Sequence, residues 1–472
     1  MLDEGLKLDK WGYEIKTNSG SCLAAINSYN HQVISYGRER WVILEAPKHD
    51  PCCVLGNILA AHYLCSRDPS LAPPLIEAAK SNLENASLYE RSVFQAVNCL
   101  VLPNRDDDLA LELHSQLLRD FPKDLASLKR AQVLCFYMAR PDLSLELVQK
   151  QVLPENKEEN YIYGMLAFPL LELGLYDDAE KAAKKGFEIN SEDTWTQHAL
   201  CHIYQYHCHF KEAVQLMEQC SSSWITLSSF MYTHNWWHVA VCYLEGHSSM
   251  ERVREVYDLH IWKELERSDA MPGEVYLNAA ALLLRVYLRG AIDVFDDRLK
   301  ILADRLTDKR FWHLEWHLDV LTLWVLACTG EVSKAEDLLD GLKSRLSKMS
   351  NKKKGLMQRA MQLAEALFVY GKGDSKGALD LLEPEFDAVN YKIIGASDEQ
   401  VDVFNELWII LLLNNGQSKR AIEAIEKQLK KREEVVSLWH LLERGYKMSG
   451  RKDAAIRVDE RVRTLGTTHF NS

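Results

Sequence analysis

Residues 160–220 read NYIYGMLAFPLLELGLYDDAEKAAKKGFEINSEDTWTQHALCHIYQYHCHFKEAVQLMEQC and contain one structural unit written twice. Gly174, Tyr176 and Ala179 recur as Cys208, Phe210 and Ala213, each 34 residues later. Apolar-periodic helical segments, joined by a short turn, run around these markers. A fixed period of this length is the sequence mark of stacked helix pairs. One pair cannot bury its apolar face alone, so neighbours supply the rest of the core. The expected fold class is all-α: a helical-repeat solenoid of stacked antiparallel helix pairs.

Working outward, a small residue recurs where the two helices of a pair touch, at Ala110, Ser144, Ala179 and Ala213. Phe94, Leu128 and Tyr163 fall at the bulky fourth position of their units. After Cys220 the period stretches. A helix over Thr233–Glu245 carries Trp236, Ala240 and Tyr243 at positions 4, 8 and 11. Residues 246–308 offer helices (Met250–Trp262, Val275–Arg289, Val294–Leu306) without a clean register. The pattern returns as Gly330/Ala335, Gly373/Ala378, Gly416/Ala421 and Gly450/Ala455. Upstream, helices are expected from Cys22 to about Tyr36 and, after Asp50-Pro51, from Cys52 to Leu64. The division that follows is 1–90, an N-terminal helical cap with a degenerate repeat; 91–245, well-formed repeats; 246–310, an irregular helical middle; and 311–472, C-terminal repeats. Together they form a single continuous solenoid.

The totals agree. Of 472 residues only 12 are proline and 22 glycine, which leaves little room for strands and hairpins. A formal charge of -12 argues against nucleic acid or an anionic membrane as the partner. The basic run Lys352-Lys353-Lys354 reads as a solvated loop between repeats. Eleven cysteines without CxxC spacing point to reduced, mostly buried thiols in a reducing compartment, hence the cytoplasm. The N-terminus lacks the charged and apolar regions of a signal peptide, and no apolar run reaches the length of a membrane span.

The turn Gly174-x-Tyr176-x-x-Ala179 resembles that of the tetratricopeptide repeat. A closer resemblance covers most of the first half. DKWGYEIKTNSGSC near the start, HDPCCVLGNILAAHYL at 49–64, INSEDTWTQHALCHIY at 189–204 and THNWWHVAVCYLE at 233–245 are similar, in content and order, to the tetratricopeptide repeat protein 38 family. The resemblance implies a protein of helical repeats with no established enzymatic role. It carries a fold and little chemistry.

In such repeats the first helix of each pair lines a concave groove through positions 2, 5, 6, 9, 12 and 13. In the unit beginning at Thr194 these include His198, His202 and Tyr206. In the unit beginning at Thr233 they include His234, Trp237 and His238, with Glu245 at position 13. Each His pair is spaced i, i+4 and so lies on one helix face. Four histidines are expected to converge on one patch of groove. That patch has three readings: a divalent metal site held by His198, His202, His234 and His238, with Glu245 completing the shell; a pocket for a polar small molecule walled by Trp237 and Tyr206; or ordinary packing and peptide contacts. HExxH is absent, and no phosphate loop, nucleophile elbow or dinucleotide fingerprint occurs. His313 and His317 form a further i, i+4 pair. His207 and His209 flank Cys208 in an exposed turn.

The leading reading is a binding module that takes a protein or peptide partner in its groove, with Trp236, Trp237 and Tyr206 as aromatic anchors. It is not read as an enzyme. The alternative is a metabolite-binding or metal-dependent enzyme built on the His-rich groove. Chaperone C-terminal tails are excluded by the residues at positions 5 and 9, which read Gln95/Cys99, Lys129/Val133, Gly164/Phe168 and His198/His202 instead of Lys/Asn.

Overall fold

The computed structural model describes residues 5–102, 105–382 and 384–470. Its architecture is all-helical apart from one antiparallel hairpin, Leu6–Leu8 with Glu14–Lys16. That hairpin was not expected. Asp9 Oδ1 accepts from the backbone of Trp11 and Tyr13, and Gly12 sits at φ +86°, so a tight turn forms in a stretch with no strand periodicity. The hairpin docks on the start of helix Leu88–Val101, where the Glu90 carboxylate accepts from Lys16 N at 2.9 Å.

Helix pairs follow in sequence: Leu88–Val101 with Asp107–Asp120, Ile162–Glu172 with Tyr176–Ile189, and, further on, Trp316–Cys328 with Val332–Ser347 and Asp398–Asn414 with Ser418–Leu429. The small residues Ala110, Ser144, Ala179, Ala213, Ala335, Ala378, Ala421 and Ala455 are all buried, as close helix contact requires. From Ala139 onward each pair turns on one residue in the left-handed region. These are Ala139, Gly174, Cys208, His247, Gly290, Gly330, Gly373, Gly416 and Gly450, at intervals of 34 to 43 residues. Glycine adopts that conformation freely, whereas other residues carry a steric cost of about 1–2 kcal/mol. Two of these turns, at His247 and Gly290, fall in the middle stretch, whose helices are broken by a π segment at Tyr257–Ile261 and 3-10 turns. The first of them is held by a histidine rather than a glycine, at φ +59°.

Two sequence expectations are corrected. Lys352–Lys354 are not a loop: they form the exposed first turn of helix Asn351–Gly371, capped by Ser350. His313 and His317 do not share a helix face, because the helix starts only at Trp316 and His313 precedes it at φ +63°.

The chain resolves into two compact units, residues 1–199 with 226–228, and residues 200–225 with 229–472. In the first unit, Thr226–Ser228 runs antiparallel to Tyr36–Arg38, with Arg38 N donating to Thr226 O at 3.0 Å and Ser228 N to Tyr36 O at 2.7 Å. In the second, three of the first helices are buried all round: Val275 to Val286, His317 to Ala327 and Val403 to Leu413 are unbroken buried runs. The second helices are amphipathic, as in Ser418–Leu429, which buries only Ala421, Ile422, Ile425 and Leu429. No helix among the described residues is long and apolar enough to cross a membrane.

Candidate functional site

The inner helices of the second unit hold a polar interior. His202 Nδ1 lies 2.7 Å from Glu399 Oε1. His234 Nδ1 lies 3.1 Å from Asn278 Oδ1, and His238 Nδ1 lies 3.2 Å from Gln205 Oε1. Asn278 Nδ2 donates to Thr233 Oγ1 and Gln205 Nε2 donates to Glu245 Oε2, so both amide oxygens must accept. Hence His234 and His238 carry their protons on Nδ1, and Nε2 is the basic atom of each ring. The His202 and His238 ring centres are 4.5 Å apart, those of His234 and His238 4.7 Å. Trp237 stacks on His234 at 5.3 Å and 9°, and the Arg285 guanidinium lies 4.9 Å from the Trp237 ring centre.

Charge in this interior is paired. Arg432 forks onto Glu245, and Arg289 onto Glu406 at 3.1 and 3.2 Å. Burial raises the Glu245 carboxyl, but Arg432 outweighs it and holds the group below the usual range. Burial likewise opposes ionisation of Glu399, yet His202 brings it down to about 2. Burial takes His234 down to about 4, against the Asn278 contact, so it is neutral near pH 7. The recess beside Glu245, Asp402, Asn405 and Arg432 encloses only about 20 Å³ of water-sized space. That is room for a water rather than a metabolite.

The structure thus brings together His202, His234, His238 and Trp237. Glu245 is engaged by Arg432 and reaches His238 only through Gln205. Tyr206 rests edge-on against His207 at 5.4 Å. His198 belongs to the first unit, stacked on Trp195 at 4.7 Å and 9°. The aromatic-anchor expectation is corrected: Trp237 is fully buried, and Trp236 is 8% exposed and stacked on His260. Both rings are core. Sequence reasoning missed Glu399, Asn278, Gln205 and Arg432, because their pairing is tertiary and follows no local period.

In the first unit, the equivalent positions carry a different surface. Helix Leu125–Tyr137, capped by Asp124, presents Lys129, Val133, Phe136 and Tyr137. Ring centres run in a ladder: Tyr137 to Phe136 at 5.6 Å, Phe136 to Phe168 at 6.1 Å, Phe168 to Trp195 at 4.7 Å, Trp195 to Tyr36 at 5.0 Å. Its outer end is open, with Tyr137 44% and Val133 42% exposed. Its deep end holds Lys129, whose Nζ lies 4.0 Å from the Tyr36 ring centre and 4.2 Å from that of Trp195.

Two ring faces favour the Lys129 ammonium, each by about 0.5–2 kcal/mol. Burial opposes it more strongly and, with like-charged Arg40 nearby, takes the amine well below its usual range despite Asp193. The Asp193 carboxyl, buried and accepting from Trp195 N, is pushed up to about 6. Gly164 makes room for it, since a Cβ there would sit 2.8 Å from Asp193 Oδ2.

No family model matches the chain. Solved structures do match along most of its length. Human IFIT1, as a dimer with m7Gppp-AAAA, is 14% identical over 95% of this chain and 91% of its own, at a TM-score of 0.39. A monomeric IFIT1 mutant with Gppp-AAAA is 11% identical over 92% and 95%, also at 0.39. The Naa15/Naa10 complex bound to HypK-THB is 15% identical over 80% and 64%, at 0.24. The chain is a tetratricopeptide-like helical-repeat protein. Likenesses this distant carry no argument about its ligand. The exclusion of nucleic acid is nevertheless withdrawn, because the matched IFIT1 structures hold capped RNA. The physical reason is that -12 is a sum over the whole chain and does not give the charge of any one surface.

Proposed function

We propose that the chain is a binding module that takes an extended protein segment along the inner face of its first unit. The observation that carries this is the aromatic ladder. Its outer ring, Tyr137, and the neighbouring Val133 occupy groove positions 13 and 9 and stand open, while its inner rings pack against one another. Rigid aromatic side chains with one dry end and one open end suit recognition of apolar peptide side chains. The test is selection of a random dodecapeptide display library on the intact chain, counter-selected on a Val133→Glu/Tyr137→Ala variant. Peptides binding the native chain at least tenfold tighter, with apolar residues in common, are expected. Equal enrichment on both proteins overturns the reading. The four segments quoted above support placing the chain in the tetratricopeptide repeat protein 38 family, and its unbridged cysteines support a reducing, cytoplasmic setting.

A second reading rests on the second unit. A metal-binding imidazole usually donates its other ring N–H to a carboxylate or carbonyl, which fixes the tautomer. His234 and His238 each have such a partner on Nδ1. Metal analysis of the dialysed protein and of a His234→Ala/His238→Ala variant tests it. About one equivalent of a transition metal, lost in the variant, supports the site. No metal in either retires it.

A further inference from the structure

Lys129 stands apart from the chain's other buried charges. A lysine amine offers three donors and accepts nothing when protonated. This one is only 5% exposed, yet among the described residues it has no hydrogen-bond acceptor and no carboxylate within ion-pair distance. Buried ammonium groups are normally paired, because an unpaired one is costly.

Its surroundings come from four segments. Residues 36–40 supply the Tyr36 ring and the Arg40 guanidinium, which lies 5.8 Å from that ring's centre. Helix Ile162–Glu172 supplies Gly164 and Phe168. The turn into helix Thr194–Tyr206 supplies Asp193, Trp195 and, one turn on, His198. Its own helix supplies Val133, one turn away and open to solvent. Asp193 Oδ1 accepts from Trp195 N at 3.0 Å, while its buried Oδ2 has no hydrogen-bond partner among the described residues. An amine desolvated among ring faces beside a cation is the arrangement that activates lysine as a nucleophile. A carboxyl that titrates near neutrality is the companion such an amine needs for proton transfer.

We propose that Lys129 is a covalent, reversible binding site for a small aldehyde, with Asp193 as its proton carrier. The Nζ lone pair attacks the carbonyl carbon, the C=O π pair moves to oxygen, and a carbinolamine forms. Asp193 in its acid form gives a proton to the departing hydroxyl. Water leaves, the C=N bond forms, and the nitrogen loses its second proton. Amine and aldehyde give imine and one water, with no redox partner. Tyr36, Trp195 and Phe168 favour an aromatic or unsaturated aldehyde that can lie against their faces. The site shares the ladder with the proposed peptide surface but does not depend on peptide binding.

The test uses the intact chain with benzaldehyde and cyanoborohydride at pH 7, read lysine by lysine by mass spectrometry. Lys129 is expected to be benzylated at least tenfold faster than the exposed Lys150 and Lys181, with a rate that levels off at lower pH than theirs. Labelling of Lys129 at or below their rate, whether from charge or from closed access, overturns the proposal. Asp193→Asn keeps the backbone contact to Trp195 and serves as the second arm. It is expected to slow Lys129 at least fivefold and leave Lys150 unchanged, and an unchanged Lys129 removes Asp193 from the mechanism. Loss of peptide selection with fast Lys129 labelling would refute the binding-module reading alone.

Discussion

The two units use the same helix positions for opposite ends. In the second, His202, His238 and Glu245 look inward to partners that satisfy them, and the aromatic Trp237 is sealed among them. In the first, Lys129, Val133 and Tyr137 occupy corresponding places, but the row opens to solvent and its one amine has no acceptor. A repeat fixes where side chains go without fixing whether they become core or surface. What decides is the supply of charged partners from distant helices. The second unit has Glu399, Arg432 and Asn278; the first leaves Lys129 to ring faces.

The largest test of that contrast is a pair of truncations. Glu245→Ala takes away the fork on Arg432 and leaves that guanidinium only Asp402, at 3.6 Å, and urea unfolding should show a loss of about 3 kcal/mol. Lys129→Met removes a charge that has no acceptor, and stability should be unchanged or raised by up to about 1 kcal/mol. Similar losses in both would erase the distinction.

Acid comes next. His234 titrates near 4 in the fold, against about 6.5 in an unfolded chain. The unfolded state therefore takes up the proton first, and stability falls as pH drops from about 6.5 towards 4. At pH 5 this one group accounts for about 2 kcal/mol. Comparing urea midpoints at pH 7 and 5, His234→Asn should lose less than the native chain by that amount.

The period of 34 residues and its glycine markers made the fold legible, and the i, i+4 histidines made part of the second unit's interior legible. His202, His234 and His238 do meet. Their partners were not legible: Glu399 lies nearly two hundred residues from His202, and no periodicity links them. Lys129 was visible only as a groove residue failing a chaperone pattern. Its isolation depends on Tyr36 and Trp195, which no local signal joins to it. The buried state of Trp236 and Trp237 was missed for a related reason, since groove position does not reveal what closes over the groove.

Smaller effects sharpen the picture. His317 is fully buried, and neither ring nitrogen has a hydrogen-bond partner among the described residues. Burial, with Arg285 and His234 nearby, takes it down to about 3. His317→Leu should raise stability by about 1 kcal/mol, measured by urea unfolding, because an unsatisfied polar ring is replaced by an apolar group. The least effect is at the turns. Ala139 holds φ +53°, and Ala139→Gly should gain about 0.5–1 kcal/mol in the same measurement.

The short strip Thr226–Ser228 has a consequence for how the chain is made. The Tyr36–Arg38 edge, translated among the first forty residues, finds its pairing partner only after the opening helices of the other unit have been synthesised. At about 5–20 residues per second, the first unit waits a few seconds beyond Ala199 before its last piece arrives. During that interval its edge is open to other extended chains. A ribosome-bound intermediate in which Thr226–Ser228 has not yet emerged should therefore be a better chaperone client than one in which it has.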